Sequence, residues 1–512
     1  MVSIAKQRPL TKGILAKVKP AGAAEDARAP SQIAVSGCFR ETTALEVWSC
    51  AAEECARKGV CPMKKIRFLL AIMLGGSLVA GLCAQENSKS KPVKAIRFGK
   101  LWDAKGKLWT NAIVIVEGDR IRTVTTDAAA IPAGAEVIDL SKYTGLPGLI
   151  DAHTHMTIYT DETPGEPMLK QLNNVNPGFA VFLARKGALR TLEAGVTTVR
   201  DLGADQYMDI AMRDLINRGE MIGPRMFVVG YGLTITSTPY KPGLNPPAGG
   251  VADGVPEVLR VVRQQIAAGV DLIKMYASTG TDDDVTGFQT YNYEEIKAAV
   301  DMAHQFGKKI AIHSYGPAGA RDAVRAGTDS LEHATDLDDA TIAEMAKRGT
   351  FYVPTIDHNR YYLDNWQKIG YANGFQEKTK AFIERNLETA RKAHKAGVKF
   401  AMGSDAIYTM FGQNTRELGW FVKAGMTPEQ ALRTATTNAA ELLGKEKELG
   451  AVAPGYFADL VAVEGDPLAD IDVAISKVKW VMKAGAVVTD KTKTQLRSSR
   501  AHSSNVLHEI NL

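Results

Sequence analysis

The sequence predicts an α/β protein: a (β/α)8 TIM barrel carrying a small β-sandwich domain assembled from both ends of the chain. Three observations carry this expectation. Short apolar strands alternate with longer helical segments through the middle of the 512 residues, which is the signature of parallel β/α architecture. Strand-and-turn patterning flanks that region on both sides. Histidines, a lysine and an aspartate recur where the predicted strands end, and in a barrel the C-terminal strand ends converge on one site.

Composition sets the outer bounds. The chain is longer than one simple core requires, and 45% hydrophobic with 23% charged residues is ordinary for a globular protein. Its net charge of +5 does not point to nucleic acid, because residues 1–84 hold 12 Lys/Arg against 6 Asp/Glu, leaving 50 against 51 beyond them. All five cysteines, Cys38, Cys50, Cys55, Cys61 and Cys83, precede residue 85. The remaining body has neither thiolate ligands nor disulfides, so any metal there must use histidine and carboxylate.

Met63-Lys64-Lys65-Ile66-Arg67, the apolar run Phe68 to Leu82 and the small-residue end Cys83-Ala84 have the layout of a secretory signal peptide. A membrane anchor is the alternative, but the run is interrupted by Gly75-Gly76-Ser77 and falls short of the roughly 20 residues that span a bilayer. A lipid-bearing Cys83 is disfavoured by the bulky Leu82 before it. Export to the periplasm or medium is expected, without stable membrane insertion after cleavage. Residues 1–62 then read as a non-native, disordered upstream extension.

From Val93 onward, Ala95-Ile96-Arg97-Phe98 and Ala112 to Ile121, with Gly118-Asp119 as a turn signal, read as strands of a small sheet over residues 85–147. Their partners are Ala458 to Val463 and Val478 to Gly485, within residues 446–490. Between them, residues 148–445 supply the barrel. Its strand candidates are Gly148–His153, Val196–Leu202, Met226–Leu233, Asp271–Tyr276, Lys309–Ser314, Ser330–Ala334, Phe351–Ile356 and Lys399–Asp405. Helices fit between them at Glu257–Ala268, Tyr293–Phe306, Ala318–Ala326 and Asp338–Lys347. Eight units over roughly 260 residues match a barrel in count and length; a doubly wound open sheet is the alternative. Ser237 to Val255, rich in proline and glycine, reads as a lid or substrate wall. Asp282-Asp283-Asp284 reads as a solvated acidic loop, and residues 491–512 as a flexible tail.

The strand ends carry the chemistry. His153 and His155 close strand one, and period-2 geometry sends both imidazoles to one face. Strand four offers Lys274, strand five His313, strand six His333 and strand eight Asp405, so four of the nine histidines fall on strand ends. Each has an ordinary alternative: a salt bridge for Lys274, a satisfied core position for His313 and His333, a helix N-cap for Asp405. A buried lysine is costly unless paired or altered, and a deprotonated amine can take up CO2 as a carbamate able to bridge two metal ions. His304 and His394 fall on helices, while His358, just past strand seven, can approach the pocket.

The run Pro147-Gly148-Leu149-Ile150-Asp151-Ala152-His153-Thr154-His155 resembles the opening motif of the amidohydrolase superfamily, in its binuclear, carboxylated-lysine subtype. Ile312 to Tyr315, Leu331 to Ala334 and Gly403-Ser404-Asp405 resemble the later motifs in the right order. Thr427 to Leu432, Ala435 to Ala440 and Gly455 to Val461 resemble the closing helix and returning strand, so the similarity covers residues 93–488. Within the superfamily the chain is similar to the imidazolonepropionase-like group that contains secreted Xaa-Pro and Xaa-Arg/Lys dipeptidases and ochratoxin-hydrolysing amidases. Imidazolonepropionase itself is mononuclear, and Lys274 argues against that activity. Ser237 to Val255 lacks the Gly-His-Gly type run of several dipeptidases, which leaves the substrate open.

The resemblance implies two divalent metal ions, with zinc the first choice for imidazole and carboxylate ligands at an open site. His153, His155 and Asp405 would hold one, His313 and His333 the other, with Lys274 as N6-carboxylysine between them. It implies a bridging hydroxide as nucleophile, since metal binding lowers the pKa of water from 15.7 to about 7, and Asp405 as proton carrier to the leaving amine. Tyr315, on the face of His313, and Tyr231, at the top of strand three, are candidate donors to the developing oxyanion, with packing at the barrel rim as their alternative. The expected activity is cleavage of an amide in a dipeptide or N-acyl amino acid, ochratoxin A included. Hydrolysis of a cyclic amide, carbamate or phosphoester is the alternative, and a non-catalytic binding protein is the reading that ligand loss would mark. The expected partner is a small amide or dipeptide, and similar enzymes commonly form homo-oligomers.

Overall fold

The computed structural model describes residues 92–160, 167–171, 176–236, 248–279 and 286–492. The signal segment, the five cysteines, Asp282–Asp284, the stretch from Ser237 to residue 247 and the tail beyond 492 lie outside them. Among the described residues no helix is long and apolar enough to cross a membrane.

Four strands open the described chain: β1 (Val93–Trp102), β2 (Leu108–Glu117), β3 (Arg120–Thr125) and β4 (Glu136–Pro147). Nine follow in the middle: β5 (Leu149–Thr154), β6 (Val196–Asp201), β7 (Arg225–Val228), β8 (Ile273–Tyr276), the short pair β9 (Ser278–Thr279) and β10 (Phe288–Gln289), β11 (Ile310–Ser314), β12 (Ser330–His333) and β13 (Phe351–Val353). Three close it: β14 (Leu460–Val463), β15 (Val478–Lys483) and β16 (Ala486–Asp490).

The two ends of the chain meet in one seven-stranded sheet of order β16-β15-β14-β4-β1-β2-β3. Parts of it are buried on both faces, Ala112–Val116 of β2 and all of β14 being buried throughout. Ile96, Phe98, Val114, Val116, Leu460, Ala462, Trp480 and Met482 form one apolar cluster drawn from across the sheet. The sheet curls enough for its hairpin turns to meet: a Cβ on Gly485, in the β15–β16 turn, would lie 1.9 Å from the Gly118 carbonyl oxygen in the β2–β3 turn. Only glycine permits that approach.

Apart from the short antiparallel pair β9–β10, the middle strands are parallel. β5, β6 and β7 pair in that order, as do β8, β11, β12 and β13. A bridge between Leu233 and Met275 joins the first group to the second, and bridges Tyr352–Phe400 and Thr154–Ala406 carry the pairing through residues 400–406 back to β5. The chain therefore has a TIM-barrel-like α/β fold, with intervening helices at Gly254–Ala267, Tyr293–Gln305, Pro317–Ala326 and Asp339–Arg348. Asn292 and Glu295 start the second of these with a reciprocal capping box.

Three expected strands are shorter than their apolar runs. The strand-three run is a continuous strand only as far as Val228; Gly230 then turns at φ 64°, and pairing resumes only at the Leu233–Met275 bridge. The strand-seven run stops at Val353, because Pro354 cannot donate to a ladder and Thr355 turns at φ 51° into a helix at Ile356–Ile369. The eighth run makes isolated bridges instead of a strand. It is held there by the Ala152 N–H to Met402 O at 2.7 Å and the Asp405 N–H to His153 O at 2.7 Å. Gly403 makes the approach possible, since a Cβ there would lie 2.7 Å from that of His153.

Candidate metal centre

His153, His155 and Asp405 come together at the closure of the parallel strands, with one ligand atom from each within 4.8 Å of the others. Asp405 Oδ1 is 3.5 Å from His153 Nε2 and 3.3 Å from His155 Nε2. These separations are long for charge-assisted hydrogen bonds. They match the about 3.3 Å expected between two ligand atoms bound roughly 2.0–2.1 Å from one tetrahedral ion.

The opposite ring nitrogens explain why Nε2 is the one presented. His155 Nδ1 lies 3.1 Å from the Gly203 carbonyl, and His153 Nδ1 lies 2.8 Å from Glu332 Oε2. A carbonyl only accepts, so His155 Nδ1 carries the hydrogen and Nε2 offers its lone pair. A third histidine, His358, is tied in the same way by Nδ1 to the Asp405 carbonyl at 2.8 Å, and its Nε2 faces Asp405 Oδ2 at 3.4 Å. Its position past β13 left that contact open in the sequence; the turn at Thr355 is what swings it inward.

His313 and His333 extend the cluster. Their rings are 4.4 Å apart, and His333 is 5.0 Å from His153. His333 has φ 70°, so strict strand alternation lapses there and lets the adjacent Glu332 and His333 both face His153. Lys274 is 1% exposed, and its Nζ has no hydrogen-bond partner. His153 Nε2 is likewise buried and unpartnered. Two such orphans beside a carboxylate and four more imidazoles are costly in a finished core, and they fit a site whose remaining partners are metal ions and a carboxylated lysine.

Burial governs the protonation states. It holds His153, His313 and His333 well below the ordinary imidazole range and His358 down to about 4, leaving all four neutral and fit to ligate. It pushes Asp405 up to about 6, opposed by the charges of His155 and Lys274. Lys274 is brought down to about 8 by burial, with Glu332 and Asp405 pulling the other way.

The two tyrosine candidates part company. Tyr315 stacks on His333 at 4.7 Å and meets His313 edge-on at 4.8 Å. Tyr231 instead packs edge-on against Tyr207 at 4.9 Å, with its phenol at the Gln206 backbone. The turn at Gly230 ends the strand before Tyr231, so the strand face that would have aimed it inward no longer exists. Tyr276 stands closer: its ring is 5.2 Å from His313 and 5.3 Å from Lys274 Nζ. It lies two residues past Lys274, so the same period-2 rule that selects Tyr315 would have selected it.

A family model described as the amidohydrolase family matches residues 144–488, a span that includes every one of these side chains. The chain belongs to the amidohydrolase family. It is 32% identical over 358 residues to the ochratoxinase of Aspergillus niger, covering 64% of this chain and 72% of that protein. An imidazolonepropionase of Fusobacterium nucleatum is 22% identical over 423 residues, 74% of this chain and 92% of that one. Among solved structures, a Xaa-Pro dipeptidase with methionine bound in its active site superposes with TM-score 0.70 at 32% identity. That match covers 77% of this chain and 99% of the dipeptidase. As an amidohydrolase with such relatives, the protein is a hydrolase acting on C–N bonds.

Proposed function

We propose that this amidohydrolase cleaves the amide bond of a dipeptide or an N-acyl amino acid, with ochratoxin A within its range. The observation that carries the proposal is the convergence of His153 and His155 on Asp405 at ligand spacing, beside the unpartnered Lys274. The similarity to an ochratoxinase and to a Xaa-Pro dipeptidase supports the substrate class. His153, His155 and Asp405 would hold one divalent metal, zinc by preference, and His313 with His333 a second, Lys274 bridging as N6-carboxylysine.

Metals bound there would polarise the scissile carbonyl and make water nucleophilic near neutral pH. The chain's own groups do the rest. Asp405, already inclined to hold a proton, accepts one from the attacking water and delivers it to the departing nitrogen. His358 fixes Asp405 by its main chain and faces Oδ2, so the carboxylate keeps one orientation through the transfer. Tyr315, against both His313 and His333, is the nearer of the two original candidates to donate to the developing oxyanion.

The proposal further takes residues 148–445 as a closed (β/α)8 barrel and residues 85–147 with 446–490 as a β-sandwich. It takes Met63–Ala84 as an export signal and the working form as a homo-oligomer. The experiment is a screen of dipeptides, N-acyl amino acids and ochratoxin A with metal-replete protein, alongside lactams, carbamates and phosphoesters. Turnover of the amide set with about two metals per chain is expected. Turnover confined to the second set removes the peptidase-like assignment, and a folded protein that takes up no metal removes the centre.

A further inference from the structure

Arg200 and Glu332 take no part in that chemistry, yet they are 1% and 0% exposed in the middle of the parallel strands. A buried ion pair is a poor source of stability, because desolvating both groups costs about as much as their attraction returns. Its presence here asks for another reason. Arg200, on β6, spends its guanidinium on three groups. Nε donates to the Ala152 carbonyl at 2.5 Å on β5, Nη1 to Ser330 Oγ at 2.9 Å and Nη2 to Glu332 Oε1 at 2.8 Å, both on β12. The Ser330 hydroxyl adds a second donor to Oε1 at 2.5 Å.

The direction of these bonds matters more than their number. A guanidinium only donates, so Oε1 is committed as an acceptor and the other oxygen, Oε2, is aimed at His153 Nδ1, 2.8 Å away. That contact leaves His153 Nε2 as the bare nitrogen, and this is the atom 3.5 Å from Asp405 Oδ1. The same arginine grips the main chain of Ala152, one residue before His153. Both the ring and its backbone anchor are therefore set by one side chain crossing from β6 to β12.

We propose that Arg200 and Glu332 are positioning residues that select the metal-facing nitrogen of His153 and fix its place at the centre. The inference rests on the proposed metal centre. It adds that the brace serves one of the two metal positions, the one shared with His155 and Asp405, and leaves the position of His313 and His333 to other contacts such as the 2.7 Å bond between His333 Nδ1 and Thr355 Oγ1.

The test compares metal-free wild type, Glu332→Gln and Arg200→Lys, titrated with Co2+ and Zn2+ against a chromophoric chelator, with melting curves of the metal-free proteins as the control for folding. In Glu332→Gln the amide, with only one acceptor oxygen, either turns its NH2 toward Arg200 and Ser330, donor against donor, or turns it toward His153 Nδ1, which must then accept and move the ring hydrogen onto Nε2. Affinity at one of two metal positions should fall about ten- to a hundredfold, the usual cost of losing a ligand's orienting partner, while the other stays within about threefold. The Co2+ spectrum should lose one of its two components. Arg200→Lys keeps the charge but not the fork, so it should lose less at the same position. Wild-type affinities at both positions in both variants overturn the inference while leaving the centre standing. Equal losses at both positions that track a lowered melting temperature reduce the brace to a structural role and overturn it too. A wild-type chain that binds neither ion overturns the inference together with the centre it rests on.

Discussion

The seven-stranded sheet and the closing strand ends of the parallel region are both well buried, and they are buried differently. In the sheet, Trp480, Phe98 and Met482 fill an apolar cluster, and Thr144 and Asp103 near it are satisfied. The Thr144 hydroxyl donates to the Gly465 carbonyl at 2.6 Å, and Asp103 accepts from two backbone N–H groups and the Trp109 indole. At the strand ends the interior is polar, Lys274 Nζ and His153 Nε2 have no partner, and His333, Thr355 and Asp405 hold positive φ. Strain and unsatisfied polarity persist only where surroundings over-determine them. The sheet carries some of both, at Arg97 Nε, Asn111 and Ala484, but only at the strand ends do they fall together among buried titratable side chains, and that convergence separates the part of the molecule built for chemistry from the part built for stability.

The largest effect that sharpens this contrast is expected at Lys274. Lys274→Ala should lose metal and reduce activity by about 10³-fold or more, the scale of a lost electrostatic contact to the transition state, with partial return on adding a small carboxylic acid. Lys274→Met should be as inactive, yet its metal-free form should melt higher than metal-free wild type. Replacing a buried, unpartnered amine by an apolar chain of similar size stabilises a fold by about 1–4 kcal/mol. Wild-type metal content in Lys274→Ala, or a lower melting point in Lys274→Met, contradicts the reading.

The converse substitution is Trp480→Ala in the sheet. Trp480 is 1% exposed, and truncating a buried tryptophan costs about 3–5 kcal/mol through lost burial and the cavity left behind. Denaturant unfolding should show that loss, while metal affinity at pH 7 stays within about twofold of wild type. A parallel loss of metal affinity would mean that the two regions are not as separable as their cores suggest.

How far each region could be read in advance follows the same division. The sheet and the parallel strands were legible because apolar periodicity reports burial directly, and His153, His155, Lys274, His313, His333 and Asp405 were legible as ends of such runs. Tyr276 was within reach of the same rule. Glu332 was not, and His358 was placed only near the pocket, because their approach to His153 and Asp405 depends on backbone turns at His333 and Thr355 that break strand alternation, and period-2 reasoning fails where alternation does. Tyr231 failed for the same cause in reverse: the apolar run continues past Val228, but the continuous strand does not. Arg200 was visible only as a charged residue within the expected strand Val196–Leu202, and its three partners come from strands distant in sequence.

The smallest expected effect separates the two regions by pH. Burial pushes Asp405 up to about 6, while His153, His313 and His333 are held well below their ordinary range. Proton competition for the metal should therefore come first from the carboxylate. As pH falls through about 6, affinity should drop, by roughly tenfold for each further unit as one proton competes, and above about 7 it should be flat with respect to this group. Asp405's own contribution to the metal-free fold should have the opposite sign. An acid whose folded pKa lies above its unfolded value of 3.8 contributes stability that is present below about 4 and lost as pH rises through about 6. Asp151 and Asp209, also raised to about 6 by burial, share that sign, and the buried, neutral His153, His313, His333 and His358 contribute with the other, so Asp405→Asn should remove only the carboxylate's own part of the slope. Melting curves of metal-free wild type and Asp405→Asn between pH 4 and 7 measure the difference. Parallel curves would show that Asp405 ionises in the fold as easily as in the unfolded chain, and that its neighbours already supply what a metal was proposed to bring.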